Sequence, residues 1–327
     1  MNMKLMSNNM GMKTSLKYIL VILAALSSAI SCKKSNMDSA VARFACKIQT
    51  KVSGSSWEAE DSVGISGVSG RRTYSNICYK TPAGSSEDFI PTGEAIYYTD
   101  SEPVKFTAYY PWKAELTAGT KYDFSVKEQS GMKQFDFLWA EATGKKEDTE
   151  PVSFVFSHKM SKLIVTIKGV NGADYEMVRK TICGMSGLST EGSFDRQSGK
   201  ISISKVQSDT LTAINNSKNP ECNTSVIREN KKDNSISYTM ILPPQEFSEE
   251  QPLKFHIYVP LFQDGNPARY DMPVDLSQIQ GNDDKNALQS GYQYGITFNI
   301  SNVSVTTTIT DIVPWISSEE SSTEATM

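Results

Sequence analysis

Histidine is scarce in this sequence. The 327 residues include only two, His158 and His256. Each lies in a short run of alternating apolar and polar residues, and neither belongs to a G-x-S-x-G or H-E-x-x-H pattern. A strand histidine that is hydrogen-bonded to a neighbouring backbone or hydroxyl group explains both positions. The sequence therefore predicts no catalytic residue, no metal site and no cofactor, and it argues against an enzyme.

Cysteine is also sparse, and its spacing is wide and irregular. No C-x-x-C pair or dense disulfide framework is present, and the two separated histidines do not complete a zinc site. Cys46 shares a strand face with Phe44 and Ile48, so it is predicted to be a small buried hydrophobe. The sequence leaves open whether disulfide bonds form among Cys46, Cys78, Cys183 and Cys222.

Long apolar runs are limited to one, "YILVILAALSSAIS" at residues 18–31, which follows three lysines. Its strongly apolar part is too short to cross a bilayer, so residues 1–31 are predicted to be a signal peptide. The small residues before Cys32 resemble the cleavage site of bacterial lipoprotein precursors, which predicts a lipidated, palmitate-bearing Cys32. An ordinary secretory signal followed by a chance cysteine is the alternative. In both cases the chain leaves the cytoplasm.

Positive charge is not in excess. The chain has 33 Lys and Arg against 37 Asp and Glu, and removing residues 1–31 takes away three lysines and no acidic residue. Because binding to nucleic acid requires clustered positive charge, a nucleic acid partner is excluded. The acidic stretches "EAED" (58–61) and "GNDDKN" (281–286) lack the order of calcium-binding loops and are interpreted as solvated turns.

Long helical periodicity is scarce, whereas short alternating runs recur through most of the chain. In "YQYGITFNI" (292–300), Tyr292, Tyr294, Ile296, Phe298 and Ile300 share one face. Such runs predict an all-β fold in which sheets pack on sheets. The charged stretch 143–151 is taken as a domain boundary. The prediction is an N-terminal β-sandwich domain at 32–150, a C-terminal one at 151–316 and a disordered polar tail at 317–327.

His158 lies where the apolar register changes. Phe154 and Phe156 share its strand parity, whereas Leu163 and Val165 continue on the opposite parity. A slip of one residue requires a bulge, kink or turn near Ser161. His158 is therefore predicted to be a polar residue at an irregular backbone, at the start of the second domain.

Several segments, taken in order, resemble the fimbrillin family, the Mfa-like, type V pilin-like surface lipoproteins of Bacteroidia. They are "RFACKIQTKVSGSSWEAEDSVGIS" (43–66), "VKFTAYYPW" (104–112), "DFLWA" (136–140), "FVFSHKMSKLIVTIKG" (154–169) and "ILPPQEF" (241–247), followed by "LKFHIYV", "GYQYGITFNI" and "TDIVPW". The resemblance implies two transthyretin-like β-sandwich domains in tandem. It also implies an exported lipoprotein of the outer membrane, exposed at the cell surface or built into a fimbrium (pilus), with a role in cell adhesion.

The resemblance also implies assembly by donor-strand exchange, in which a protease removes the first strand and a strand of another subunit replaces it. The strand at 42–50 would then be the one removed. Before removal, its side chains Phe44, Cys46 and Ile48 would fill the groove that the incoming strand later occupies. The candidate processing residues are Lys51, in the link after that strand, and Arg43, which precedes it; the link contains no arginine. The candidate donor strand lies within 303–313 and includes Val303, Val305 and Ile309.

These features favour a tip, anchor or accessory subunit over a main shaft subunit, with other fimbrillin-like subunits as partners. The alternative is a non-polymerising surface lipoprotein that binds a host or bacterial glycan or protein through its sandwich loops. A sugar platform requires exposed aromatic side chains. The four tryptophans are Trp57, Trp112, Trp139 and Trp315, and three of them occupy motif positions that look structural.

Overall fold

A computed structural model describes residues 41–48, 57–58, 60–81, 88–129, 132–204, 209–213, 226–260, 267–278, 282 and 285–315. Cys32, Lys51, Cys222 and the tail at 317–327 lie outside these residues. All described residues after Val41 belong to one compact unit. Within the described part, no helix is both long and apolar enough to span a membrane.

The described residues are mostly β-strands, which confirms the predicted all-β class. The strands are β1 Phe44–Ile48, β2 Ser62–Ser69, β3 Arg72–Lys80, β4 Ile90–Pro91, β5 Val104–Tyr110, β6 Lys121–Ser125, β7 Leu138–Gly144, β8 Val152–His158, β9 Ser161–Gly169, β10 Ile182–Leu188, β11 Glu191–Asp195, β12 Lys200–Ile203, β13 Asp209–Ala213, β14 Val226–Asn230, β15 Ser235–Leu242, β16 Gln245–Glu246, β17 Leu253–Val259, β18 Ala268–Val274, β19 Ala287–Leu288, β20 Tyr292–Ile300 and β21 Val305–Pro314. The α-helix α1 spans Tyr175–Lys180, and 3₁₀ turns occupy Ala114–Thr117, Met132–Phe135 and Leu276–Gln278.

Five sheets contain these strands. The largest has seven strands in the order β1-β8-β7-β5-β2-β3-β4. A five-stranded sheet has the order β14-β15-β9-β20-β21, and a four-stranded sheet has the order β13-β10-β17-β18. The remaining sheets are β12-β11-β6 and the short pair β16-β19. Most pairs are antiparallel, but β1 runs parallel to β8, and β9 runs parallel to β20.

Two hydrophobic cores form because alternate side chains of these strands point to one side. The first core contains side chains of the seven-stranded sheet, including Phe44, Phe106, Phe154 and Phe156. The second core is built on β9, β10, β15, β17 and β20 and includes Phe194. The division into two tandem transthyretin-like sandwiches stays a prediction.

Two segments lie in a different core from the one that the sequence suggested. Within the stretch 143–151, Thr143 and Gly144 end β7, and residues 145–151 connect β7 to β8, its neighbour in the same sheet. Residues 152–158 therefore belong to the first sheet and its core, although the sequence placed them in the second domain. In the other direction, β6 pairs with β11, and Phe124 and Phe137 pack in the second core. A charged turn between neighbouring strands has the same composition as a domain linker, which explains the difference.

Candidate functional site

Strand β1 is hydrogen-bonded along both of its edges. On one edge it pairs in parallel with β8, from Phe44 opposite Val152 to Ile48 opposite Phe156. On the other edge the amide of Ala42 donates to the Ile96 carbonyl (2.9 Å), and the amide of Phe89 donates to the Phe44 carbonyl (2.8 Å). The segment thus fills a slot between β8 and residues 89–96. Removing it would leave backbone donors and acceptors unpaired on both sides.

The side chains of β1 fill the first core. Phe44 is fully buried, and its ring lies 5.2 Å from Tyr79, 5.1 Å from Phe106 and 5.7 Å from Phe154, measured between ring centroids. Cys46 is also buried, whereas Ile48 is partly buried against the same core. Burial of a Phe side chain contributes about 1.5–3 kcal/mol. Phe44 and Cys46 thus pack in the first core, and their role in a displaced strand stays a prediction.

Trp57 covers the end of β1. Its indole Nε1 donates to the Cys46 carbonyl at 2.8 Å, and its ring packs edge-on against Phe89 and Phe156. The Cys46 thiol is free, and burial raises its pKa well above the usual value. Cys46 therefore acts as the small hydrophobe that the sequence predicted. Cys78 and Cys183 are also free.

Arg43, one of the two candidate processing residues, lies at the rim of the slot. Its half-exposed guanidinium donates to the Thr149 carbonyl at 2.6 Å and forms an ion pair with Asp88 at 3.6 Å. Its own carbonyl accepts a hydrogen bond of 2.8 Å from the Val152 amide. The peptide bond after Arg43 is thus held in a paired backbone, which a protease reaches only after local opening. Lys51, the other candidate, lies outside the described residues.

Strand β21, which contains most of the candidate donor segment, is an edge strand. It pairs antiparallel with β20, and a register shift occurs between Gly295 and Ile296. Val305 packs partly against the second core. The backbone of Ile309 pairs with Ile296, but its side chain is not described. Val303 precedes the strand in a turn and is 84% exposed, so it is not part of β21.

The end of β21 is fixed by a contact that sequence reasoning missed. Trp315 is buried, its amide donates to the Gly291 carbonyl at 2.6 Å, and its ring stacks on His158 at 4.0 Å. His158 Nδ1 in turn lies 2.6 Å from the Asp136 carboxylate. The predicted turn after His158 is present between β8 and β9, and the ring contacts the Asp136 carboxylate and the Trp315 indole. The stacking joins β21 to β8.

His256 belongs to a polar cluster on the four-stranded sheet. Its Nε2 lies 2.7 Å from Ser186 Oγ, and its Nδ1 lies 2.6 Å from Asp271 Oδ1. These distances resemble a hydrolase triad, but Arg269 donates to the same Asp271 oxygen at 2.8 Å, and its Nη2 lies 3.2 Å from His256 Nδ1. Arg269 and His256 lower the pKa of Asp271 through these hydrogen bonds. The cluster therefore has the features of a cross-strand ion-pair network.

Known proteins share this sequence pattern and this fold. The candidate fimbrium subunit Fim1C of Bacteroides uniformis is 34% identical over 144 residues, which span 42% of this chain and 48% of that protein. A solved structure of a candidate cell adhesion protein from Bacteroides uniformis has a TM-score of 0.64 at 21% identity and covers 84% of this chain and 97% of its own. Another, from Bacteroides ovatus, has the same TM-score and identity and covers 85% and 99%.

The solved structures have the same all-β fold as this chain. The match to Fim1C extends over about half of each protein. A family model described as Fimbrillin-like matches residues 50–315, which is well over half of the sequence. Sequence and fold thus agree with the resemblance seen in the motifs, and the chain belongs to the fimbrillin-like family.

Proposed function

We propose that this protein is a fimbrium subunit that acts in cell adhesion and joins its neighbours by β-strand complementation. The observation that carries the proposal is β1, which is hydrogen-bonded on both edges and buries Phe44 and Cys46 in the first core. A strand of another subunit with the same alternation could occupy this slot. The related Fim1C, named as a candidate fimbrium subunit, supports the same role.

Loss of β1 would open a groove that is costly to leave empty. Its floor consists of Tyr79, Phe106 and Phe154, which surround Phe44. Its walls are the backbone of β8 and of residues 89–96. Because buried apolar surface and unpaired backbone groups both disfavour the open state, an incoming strand gains both kinds of contact at once. This combination explains how one strand could hold subunits together.

The segment that this subunit would offer to a neighbour is β21. It lies at the edge of its sheet and has ten residues, so one of its backbone edges has no described strand beside it. Val305 and Ile309 are the candidate apolar anchors, while Val303 lies in the preceding turn and contributes only to the loop. Leaving β20 would also require Trp315 to separate from His158.

We further propose a tip, anchor or accessory position, with export as a lipoprotein and retention in the outer membrane through lipid on Cys32. The support is the fixed state of both candidate strands. The carbonyl of Arg43 is hydrogen-bonded to Val152, and Trp315 is buried against His158. A shaft subunit must release the first of these strands, whereas an anchor or tip subunit can keep its own strand in place.

The groove can be tested by controlled removal of β1. A site for a sequence-specific protease is placed between residues 51 and 56, the chain is cut, and β1 is released in mild denaturant. We expect the trimmed protein to bind a synthetic peptide of residues 42–50 in fluorescence anisotropy. The peptide with Phe44→Asp should not bind, because that position is fully buried, whereas the matched peptide with Lys47→Asp should bind, because Lys47 is exposed.

Two results separate the parts of this proposal. If neither the 42–50 peptide nor a 303–316 peptide binds the trimmed protein, strand complementation is wrong. If the 42–50 peptide binds but mass spectrometry of protein from cells shows a lipidated Cys32 on every chain, β1 remains in place in the cell. That result supports the anchor, tip or accessory position and contradicts a shaft role.

A further inference from the structure

A cavity of about 440 Å³ lies between the outer face of β2, β3 and β5 and the turn that joins β11 to β12. Its volume falls within the range of roughly 300–1,000 Å³ that is usual for small-ligand sites. Strand β1 contributes no lining residue, so the cavity is separate from the slot described above. Most of its lining residues have polar side chains: Ser66, Thr73, Tyr74, Ser75, Lys105, Thr107, Arg196 and Gln197. Gly67 and Val68 complete the lining.

Arg196 is the unusual member of this lining. It is 5% exposed, yet all of its hydrogen-bond partners are neutral. Its Nε donates to the carbonyls of Leu116 (3.0 Å) and Gly119 (3.1 Å), Nη1 donates to Ser66 Oγ at 2.8 Å, and Nη2 donates to Ser75 Oγ at 2.8 Å. A guanidinium has five N–H groups. One on each terminal nitrogen therefore has no partner among the described residues.

No carboxylate among the described residues lies in direct contact with the Arg196 guanidinium. Buried arginines are normally paired, because an isolated buried charge is costly. The adjacent Asp195 uses its carboxylate to accept the Gln197 amide. Lys105, at the mouth, forms an ion pair with Glu141 at 2.8 Å and is thereby neutralised. Burial lowers the pKa of Arg196, but an arginine stays protonated in proteins. The cavity thus presents a guanidinium that no described carboxylate contacts.

The position of the guanidinium is fixed before any ligand arrives. The Arg196 amide donates to the Thr120 carbonyl at 2.9 Å, and its carbonyl accepts from Trp139 Nε1 at 3.1 Å. The turn is closed by a 2.8 Å hydrogen bond from the Gly199 amide to the Asp195 carbonyl. The guanidinium is thus held in place while one N–H group on each terminal nitrogen can still donate, which reduces the cost of ordering it when an anion binds.

We propose that this cavity binds the carboxylate of an acidic sugar residue, with Arg196 as the anion contact. The hydroxyls of Thr73 and Thr107 and the amide of Gln197 can bond to sugar hydroxyls, and the exposed Val68 supplies apolar surface. A neutral sugar would leave the guanidinium uncompensated. The site therefore prefers acidic over neutral sugars, and it does not depend on whether the subunit polymerises.

The test is isothermal titration of the full mature chain with methyl β-glucuronide, methyl β-glucoside and acetate. We expect the glucuronide to bind at least about tenfold more tightly than either of the others, because charge-assisted hydrogen bonds are worth roughly one decade or more. Thr73→Trp, an exposed change at the mouth, should abolish binding. Ser153→Trp, an equally exposed strand position outside the cavity, should leave it unchanged.

Arg196→Gln should remove the preference for the acidic sugar. If that variant does not fold, the comparison of Thr73→Trp with Ser153→Trp decides alone. Equal affinity for glucuronide and glucoside, or no binding of either, would overturn the proposal and leave Arg196 as a structural link between the turn and the sheet. Equal affinity for acetate and glucuronide would overturn the sugar part, because the ring would then contribute nothing.

Discussion

Replacing Phe44 by Ala tests whether β1 completes the first core. The side chain is fully buried, and three aromatic rings lie within 5.7 Å of its own, measured between centroids. Removing a Phe from such a site costs about 3–5 kcal/mol, because the lost contacts add to the cavity that remains. For a chain of this size each kcal/mol lowers the Tm by roughly 2–4 °C, so we expect a decrease of roughly 6–20 °C.

The assay is denaturant unfolding followed by tryptophan fluorescence and by circular dichroism. Trp57 lies against the end of β1, so fluorescence reports on the first core. The matched control is Lys47→Ala, an exposed position on the same strand, which should change the free energy of unfolding by less than about 0.5 kcal/mol. If Phe44→Ala costs no more than this control, β1 does not stabilise the first core, and the argument for a costly empty groove is wrong.

Three further predictions follow from the described contacts. Trp315→Ala should destabilise the protein by about 3 kcal/mol or more and increase hydrogen exchange in β21. The control Val313→Ala, at a position 42% exposed, should have little effect. Unchanged hydrogen exchange in Trp315→Ala would contradict a fixed end of β21. Of the three described cysteines in the folded protein at pH 8, iodoacetamide should spare Cys46 and Cys183, whose pKa values are raised by burial, and should react first with the half-buried Cys78, as measured by peptide mapping. Burial also raises the pKa of Tyr98 to about 12. The folded state therefore retains the phenol proton above pH 10, where the unfolded state loses it, and the free energy of unfolding should fall between pH 10 and 12. Tyr98→Phe should reduce this pH dependence and leave stability at pH 7 nearly unchanged.

The all-β class could be predicted because it depends on local alternation. In β20 the residues from Tyr294 to Ile300 alternate between buried and partly exposed, as the sequence of that run implied. The same reasoning correctly placed Phe44 and Cys46 in a core, because side-chain parity along one strand is a local property.

Sheet membership could not be predicted, because it depends on which distant strands pair. The charged stretch 143–151 has the composition of a linker, yet it covers the end of β7 and the short connection to the neighbouring strand β8. His256 and Asp271 are brought together by the register of β17 with β18, and Ser186 by the register of β10 with β17. Arg196 is 130 residues away from Ser66 in the chain. No local sequence pattern indicates that these residues come together.

Strand β8 connects the two segments on which the proposed assembly depends. Along one edge it pairs with β1, and at its end His158 stacks on Trp315, the residue that follows β21. Because Phe154 and Phe156 are packed in the same core as Phe44, β8 cannot lose its partner without exposing the side chains on its own buried face. The slot that β1 fills and the stacking contact at the end of β21 are therefore attached to one seven-residue element. A subunit that keeps β1 keeps β8 in place, and with it the stacking contact between His158 and Trp315.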